Sequence, residues 1–197
     1  MLSLKSRKGV IKKLIRKFYI SGICVDIGCG LGAYCDVLPA NYVGVDSVFE
    51  ALCLLRRSCN KYVCVGDAQN LPVRDETSDL SISIETAQYI RSFDLFFYEI
   101  SRITKHGGIF IIIAPNPDSI QWILWQKMKG KSPFNFISLS SVIDLLKKFG
   151  FSVLKIDGIF TPLIPLDYLN GILNIQLPYN FIKTFSKSFV VVAKKEV

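Results

Sequence analysis

The chain has little from which to build a metal centre or a membrane span. It holds one histidine, His106, and none of its six cysteines form a C-x-x-C pair. A zinc site therefore has few ligands to draw on. No apolar run is long enough to cross a bilayer, and the longest, residues 109–115, has the length of a buried strand. The N-terminus is basic, yet no small-residue cleavage site follows it, so a secretory leader is not expected. Linkers, repeats and low-complexity stretches are also missing. With 50% of its residues apolar, the chain is not a disordered one. A single domain over residues 1–197 is expected, large enough for a full core.

Cys24, Cys29, Cys35, Cys53, Cys59 and Cys64 all fall in the first third, mostly within apparent strands and helices. They read as reduced, largely buried thiols of a cytoplasmic protein. The net charge of +8 is unevenly placed. Lys5, Arg7, Lys8, Lys12, Lys13, Arg16 and Lys17 crowd the N-terminus with no acid among them. Val10, Ile11, Leu14, Ile15 and Phe18 recur at helical spacing, which predicts a basic amphipathic helix over residues 1–20. Two readings of it stand: a helix docked on the core with a solvated basic face, or one that touches anionic lipid or nucleic acid.

Strands and helices then alternate. Apolar strands are predicted over residues 23–27, 42–45, 62–65, 79–84 and 109–114. Helices are predicted over 33–38, 47–58 and 92–104, the second opened by a Ser47/Glu50 capping box and the third ended by His106-Gly107-Gly108. Continuous apolar strands joined by helices argue for a parallel sheet covered on both faces. A helix over 141–149 with Gly150 past its end, and strands over 152–156 and 188–193, complete the pattern. Residues 115–137 and 160–185 are apolar and irregular, an elaborated end of the same domain.

The richest segment is Val25-Asp26-Ile27-Gly28-Cys29-Gly30-Leu31-Gly32. Glycines at alternate positions after a strand let the backbone approach a ligand closely. A helix start after such a turn would offer free N–H groups to an anionic or polar ligand. Gly28, Gly30 and Ala33 also satisfy the looser dinucleotide pattern, and an acid on a ribose would suit that reading equally. Ligands of such sheets bind at the carboxyl ends of the strands. Asp26, Asp46, Asp67 and Glu85 each fall at the predicted carboxyl end of a successive strand.

These segments, with Gly44-Val45-Asp46, Gly66-Asp67-Ala68, the 71–79 loop and Gly107-Gly108, resemble the class I S-adenosylmethionine-dependent methyltransferases, in particular the methyltransferase type 11 group. The resemblance covers residues 20–114 closely and 138–194 more loosely. It implies a Rossmann-like, doubly wound α/β fold with a mostly parallel seven-stranded sheet and an antiparallel last strand. It implies S-adenosyl-L-methionine as cofactor. Asp26 would orient the glycine loop and the amino end of the cofactor, Asp46 would accept from the ribose hydroxyls, and Asp67 from the adenine amine, with Ala68 supplying a backbone N–H. Gly28, Cys29, Gly30, Gly32, Ser47 and Glu85 complete the expected cofactor set. These roles make chemical sense, because ionised carboxylates only accept hydrogen bonds and the nucleoside offers donors.

Methyl transfer from a sulfonium needs alignment more than a reactive side chain. No catalytic residue is evident. Glu85 and Tyr89 are candidates for a base or for substrate positioning, where relatives carry a histidine after the fourth strand and this chain has Gln88 and Tyr89. His106 lies at the opposite end of the sheet. Asp75, Glu76 and Asp79 read as a solvated turn, and no metal is expected. Trp122, Trp125, Phe134 and Phe136, with residues 161–182, suit a lid over a small-molecule or lipid-like acceptor, or else enlarge the core. A lid and the basic first helix would suit transient contact with a membrane surface. A tRNA- or rRNA-modifying enzyme and a catalytically silent cofactor-binding protein are the alternatives. The RNA reading is the weaker, since the last third is apolar and no RNA-binding domain is added.

Overall fold

A computed structural model describes residues 4–130, 132–159 and 177–196. Helix α1 (Leu4–Phe18) leads into strand β1 (Cys24–Ile27), followed by β2 (Tyr42–Asp46), α2 (Phe49–Cys59), β3 (Tyr62–Val65) and β4 (Ser78–Ile84). A short 3-10 turn (Ala87–Tyr89) precedes α3 (Phe93–Ile103), which runs into β5 (Thr104–Pro115). Then come α4 (Ile120–Lys129), α5 (Leu139–Lys148), β6 (Phe151–Ile159), α6 (Tyr179–Phe185) and β7 (Ser188–Lys195).

The strands form one seven-stranded sheet in the order β3-β2-β1-β4-β5-β7-β6. β1 to β5 pair in parallel, and β7 runs antiparallel between β5 and β6. This is the expected doubly wound sheet with a reversed last strand. Its two faces carry separate cores, as the alternation along β5 shows. Ile109, Ile111 and Ile113 pack with Ile11 and Leu14 of α1 and Leu52 and Leu55 of α2. Phe110, Ile112 and Ala114 pack with Phe96, Phe97 and Ile100 of α3 and with Val142 and Leu146 of α5. The strands read as unbroken apolar runs because both faces are covered.

α1 docks on the core: Ile11 and Leu14 are buried, while Lys12, Lys13, Arg16 and Lys17 are exposed on the solvent side. Three local expectations are corrected. Residues 31–37 form a run of turns held by i→i+3 bonds such as Cys35 N to Gly32 O, and not a helix. A six-residue segment with glycine before it and Pro39 after it does not repay helix nucleation. The Ser47/Glu50 capping box does not form. α2 starts only at Phe49, with Val48 rather than Ser47 at its cap and no side-chain cap; Asp46 Oδ1 accepts Val48 N at 2.9 Å and shapes the loop before it. α3 ends at Ile103, and β5 begins at once, so His106-Gly107 lie inside the strand. There Thr104 Oγ1 donates back to Ile100 O at 2.6 Å, closing the helix.

The thiol expectation is corrected as well. Cys35 and Cys59 are joined in a disulfide that ties the turn run to the end of α2. The two residues are 24 apart in sequence and their Cα atoms 6.5 Å apart, a proximity that only the packed fold creates. Cys24, Cys29, Cys53 and Cys64 remain free thiols. Of the two apolar elaborations, 115–137 is described apart from Lys131, whereas the stretch 160–176 lies outside the described residues.

Candidate active site

At the carboxyl ends of β1, β2, β3 and β4 lies a cavity of about 740 Å³. Gly28, Gly30, Asp46, Ser47, Asp67, Ala68, Glu85 and Tyr89 all line it. Cys29, Gly32 and Asp26 are not among its lining residues. Each supports it from behind. The Cys29 thiol is buried against Gly44, and burial first of all pushes its pKa up to about 12. Gly32 has φ +74°, and a Cβ there would stand 2.0 Å from Leu55 Cδ1. Asp26 is 3% exposed and accepts a hydrogen bond from the Tyr42 hydroxyl at 3.0 Å. Burial raises its pKa from 3.8 to about 7, Tyr42 opposing the rise and nearby Asp46 adding to it.

Asp46 organises the floor. Its Oδ2 accepts Gly30 N at 2.8 Å and its Oδ1 accepts Val48 N, so one carboxylate joins the glycine loop to the loop after β2. A carboxylate has about four lone-pair sites, so capacity for two more donors remains. Gly30 has φ +51°, and a Cβ built on it meets nothing within 4 Å. The backbone there faces open space at the cavity wall. Asp67 folds on itself: its Oδ1 accepts Gln69 N at 2.8 Å and Gln69 Nε2 at 3.2 Å. Gln69 in turn accepts Ser92 N at 2.7 Å, which fixes the loop beneath α3.

Glu85 closes the far wall. Its backbone is left-handed at φ +55°. Its Oε1 accepts Ser188 Oγ at 3.1 Å and pairs with Arg7 of α1 at 3.3 Å. Thr86, beside it, has its hydroxyl within reach of the carbonyls of Ile27, Gly28 and Ile84, one of which takes its single proton, and it packs where a Gly28 side chain would go. The Arg7 contact was not legible in the sequence, because nothing local ties an N-terminal helix to the tip of β4. Gln69, Thr86 and Arg91 also line the cavity and flank motif residues that were singled out. His106 lies elsewhere, between Glu76 Oε1 at 3.0 Å and the carbonyl of Glu196 at 2.7 Å. Among the described residues no three His, Cys, Asp or Glu side chains gather to hold a metal.

A methyltransferase domain model matches residues 25–112, the span that builds this cavity. A fatty-acid O-methyltransferase of Mycolicibacterium smegmatis is 28% identical over 60% of this chain and 46% of its own length. The chain belongs to the class I S-adenosylmethionine-dependent methyltransferases. An uncharacterised protein of Methanocaldococcus jannaschii, MJ1252, is 29% identical over 94% of this chain and 81% of its own. Among solved structures, the geranyl diphosphate C-methyltransferase of Streptomyces coelicolor was determined with Mg2+, geranyl diphosphate and S-adenosyl-L-homocysteine. It superposes with a TM-score of 0.71 at 17% identity, over 97% of this chain and 79% of that one. The chain spans just under half the length of the fatty-acid enzyme.

The cofactor of this methyltransferase is S-adenosyl-L-methionine, and the residues present fit it. The wall at Gly30 is bare main chain facing open space, and Asp46 keeps acceptor capacity beside it. When bound, the cofactor supplies an electrophilic methyl group on a sulfonium. The chain's own part is to preset the loops around it.

Proposed function

We propose that this methyltransferase acts on a lipid-like acceptor admitted beside Tyr89. One observation carries the reading. An unbroken row of aromatic rings leads away from the cavity wall: Tyr89 to Phe134 at 5.3 Å, Phe134 to Phe136 at 6.2 Å, Phe136 to Trp122 at 4.6 Å, and Trp122 stacked on Trp125 at 4.9 Å. The row is strapped to the 3-10 turn, since Asn135 donates through its N–H to Gln88 O and through Nδ2 to Ile90 O. Trp122 Nε1 is shielded from solvent with no hydrogen-bond partner, a spare donor for an oxygen of the acceptor away from its attacking end. The names of the similar enzymes, acting on a fatty acid and on geranyl diphosphate, agree with an apolar acceptor.

In this reading Asp46 holds the ribose hydroxyls, Asp67 and Ala68 receive the adenine edge, and Gly28, Gly30 and Ser47 flank the rest of the cofactor. Cys29, Gly32 and Asp26 hold the loop's shape from beneath. Glu85, pinned by Ser188 and Arg7, and Tyr89 position the acceptor's attacking atom toward the methyl group. Holding the two in line is the main catalytic task, and apolar walls that exclude water help it.

The test supplies the protein and methyl-labelled S-adenosyl-L-methionine to an organic and an aqueous extract of the source cells. Label recovered in an apolar product supports the proposal. Label only in RNA or in water-soluble metabolites, or cofactor binding without turnover on any fraction, refutes it.

A further inference from the structure

Among the described residues, α4 has none in the buried core. Ile120, Ile123, Leu124, Trp125 and Met128 are all exposed, Met128 at 81% and Leu124 at 55%. Apolar residues lie on nearly every side of it, a composition that belongs in a core or in lipid. Patches of this kind on a folded domain mark an interaction site. The surrounding sequence says what covers it. Between Asp118 and Asp144 there is no carboxylate, and Lys127, Lys129 and Lys131 fall in the same stretch. Exposed indole and aliphatic groups beside the exposed Lys127, in a lysine-rich stretch of sequence with no acid, match an anionic membrane interface. A second copy of the chain would bring the same lysines against these and be repelled.

We infer that α4 is a docking helix that lays this methyltransferase on an anionic lipid bilayer. The inference builds on the lipid-like acceptor proposed above and adds where that acceptor comes from. The ring row begins at Trp125 on α4 and ends at Tyr89 in the cavity wall, so a lipid leaving the bilayer meets aromatic surface along its way to the cofactor. Membrane contact thereby moves from the basic first helix, whose apolar face is spent on the core, to α4. α1 keeps a supporting charge through its exposed basic side.

The chain carries its own reporter. Its only tryptophans are Trp122 and Trp125, both on α4, so tryptophan emission, excited where tyrosine does not absorb, reads this helix alone. The probes are vesicles of phosphatidylcholine, with and without phosphatidylglycerol, and the same vesicles made with brominated acyl chains. With the anionic vesicles, emission shifts to the blue and the brominated chains quench it; with phosphatidylcholine alone the response is weak. Replacing Leu124→Glu and Met128→Glu together lowers vesicle binding about tenfold or more. Exchanging Lys127→Gln weakens it about fivefold and makes it less salt-sensitive. Cofactor affinity, measured without vesicles, stays unchanged in these variants. Unmoved emission on anionic vesicles overturns the inference. So does a wild-type dimer in sedimentation that the double substitution breaks. Vesicle binding without label in any apolar product would sink the proposed acceptor and leave the docking face standing.

Discussion

Asp26→Asn gives the sharpest test of the electrostatics beneath the glycine loop. Asp26 is almost fully buried, and its pKa stands at about 7 against 3.8 for the ordinary group, burial being the main cause. Between those two values the folded chain keeps a proton that the unfolded chain releases. Stability from this group is therefore complete in acid and falls as pH rises through the folded value. At about 1.4 kcal/mol per unit, the gap is worth about 4 kcal/mol. Asparagine is neutral throughout and keeps a carbonyl oxygen for the Tyr42 hydroxyl, which now donates to Asp26 Oδ2. Urea unfolding of wild type and variant, run side by side from about pH 4 to about pH 8, reads the difference directly. The variant should gain on the wild type by about 4 kcal/mol over that range, nearly all of it before about pH 7. A difference that does not change with pH would show that Asp26 ionises without penalty, and the burial argument would fail.

Asp46→Ala should weaken cofactor binding about a hundredfold, since charge-assisted bonds are worth about 1.5–3 kcal/mol each; unchanged affinity in calorimetry would refute the ribose role. Gly32→Ala forces a side chain into Leu55 at a left-handed position and should cost about 2 kcal/mol, read as a lower Tm. An unaltered Tm would mean the loop relaxes freely. Arg102 bonds Glu99, Asp75 and the carbonyls of Leu71 and Val73. Arg102→Met strands buried Glu99 and should cost about 3 kcal/mol near neutral pH. The Glu99 carboxyl is held below its ordinary pKa, chiefly by Arg102, so this contribution is lost as pH falls through that lowered value. The deficit of the variant should therefore shrink in acid, and a deficit constant with pH would refute the pairing.

The sheet was legible because burial on both faces leaves a mark in every strand. β3 matches the expected residues 62–65, and the other strands differ only at their ends. The acids at strand ends were legible for a related reason: they break apolar runs where the chain leaves the core. Asp46, Asp67 and Glu85 meet at one cavity. Asp26 does not reach it: it pairs with Gly44, two residues short of Asp46 along the sheet, and Tyr42 claims its carboxylate. What stayed hidden depends on contacts between distant segments. Arg7 and Glu85 are brought together by the docking of α1, and Cys35 and Cys59 by the packing of α2. The capping box looked right locally, yet the helix starts two residues later, with Val48 at its cap and no side chain to close it.

The sheet order carries a consequence for biogenesis. Among the described strands β6 has a single neighbour, β7, which is made later by the ribosome and slots in between it and β5. The older strand therefore waits unzipped until the younger one arrives, and its apolar side is a target for chaperones or for aggregation in the interval. Stalled or shortened translation products that lack β7 would lose two ladders at once, and would be cleared as misfolded rather than survive as weakened enzyme.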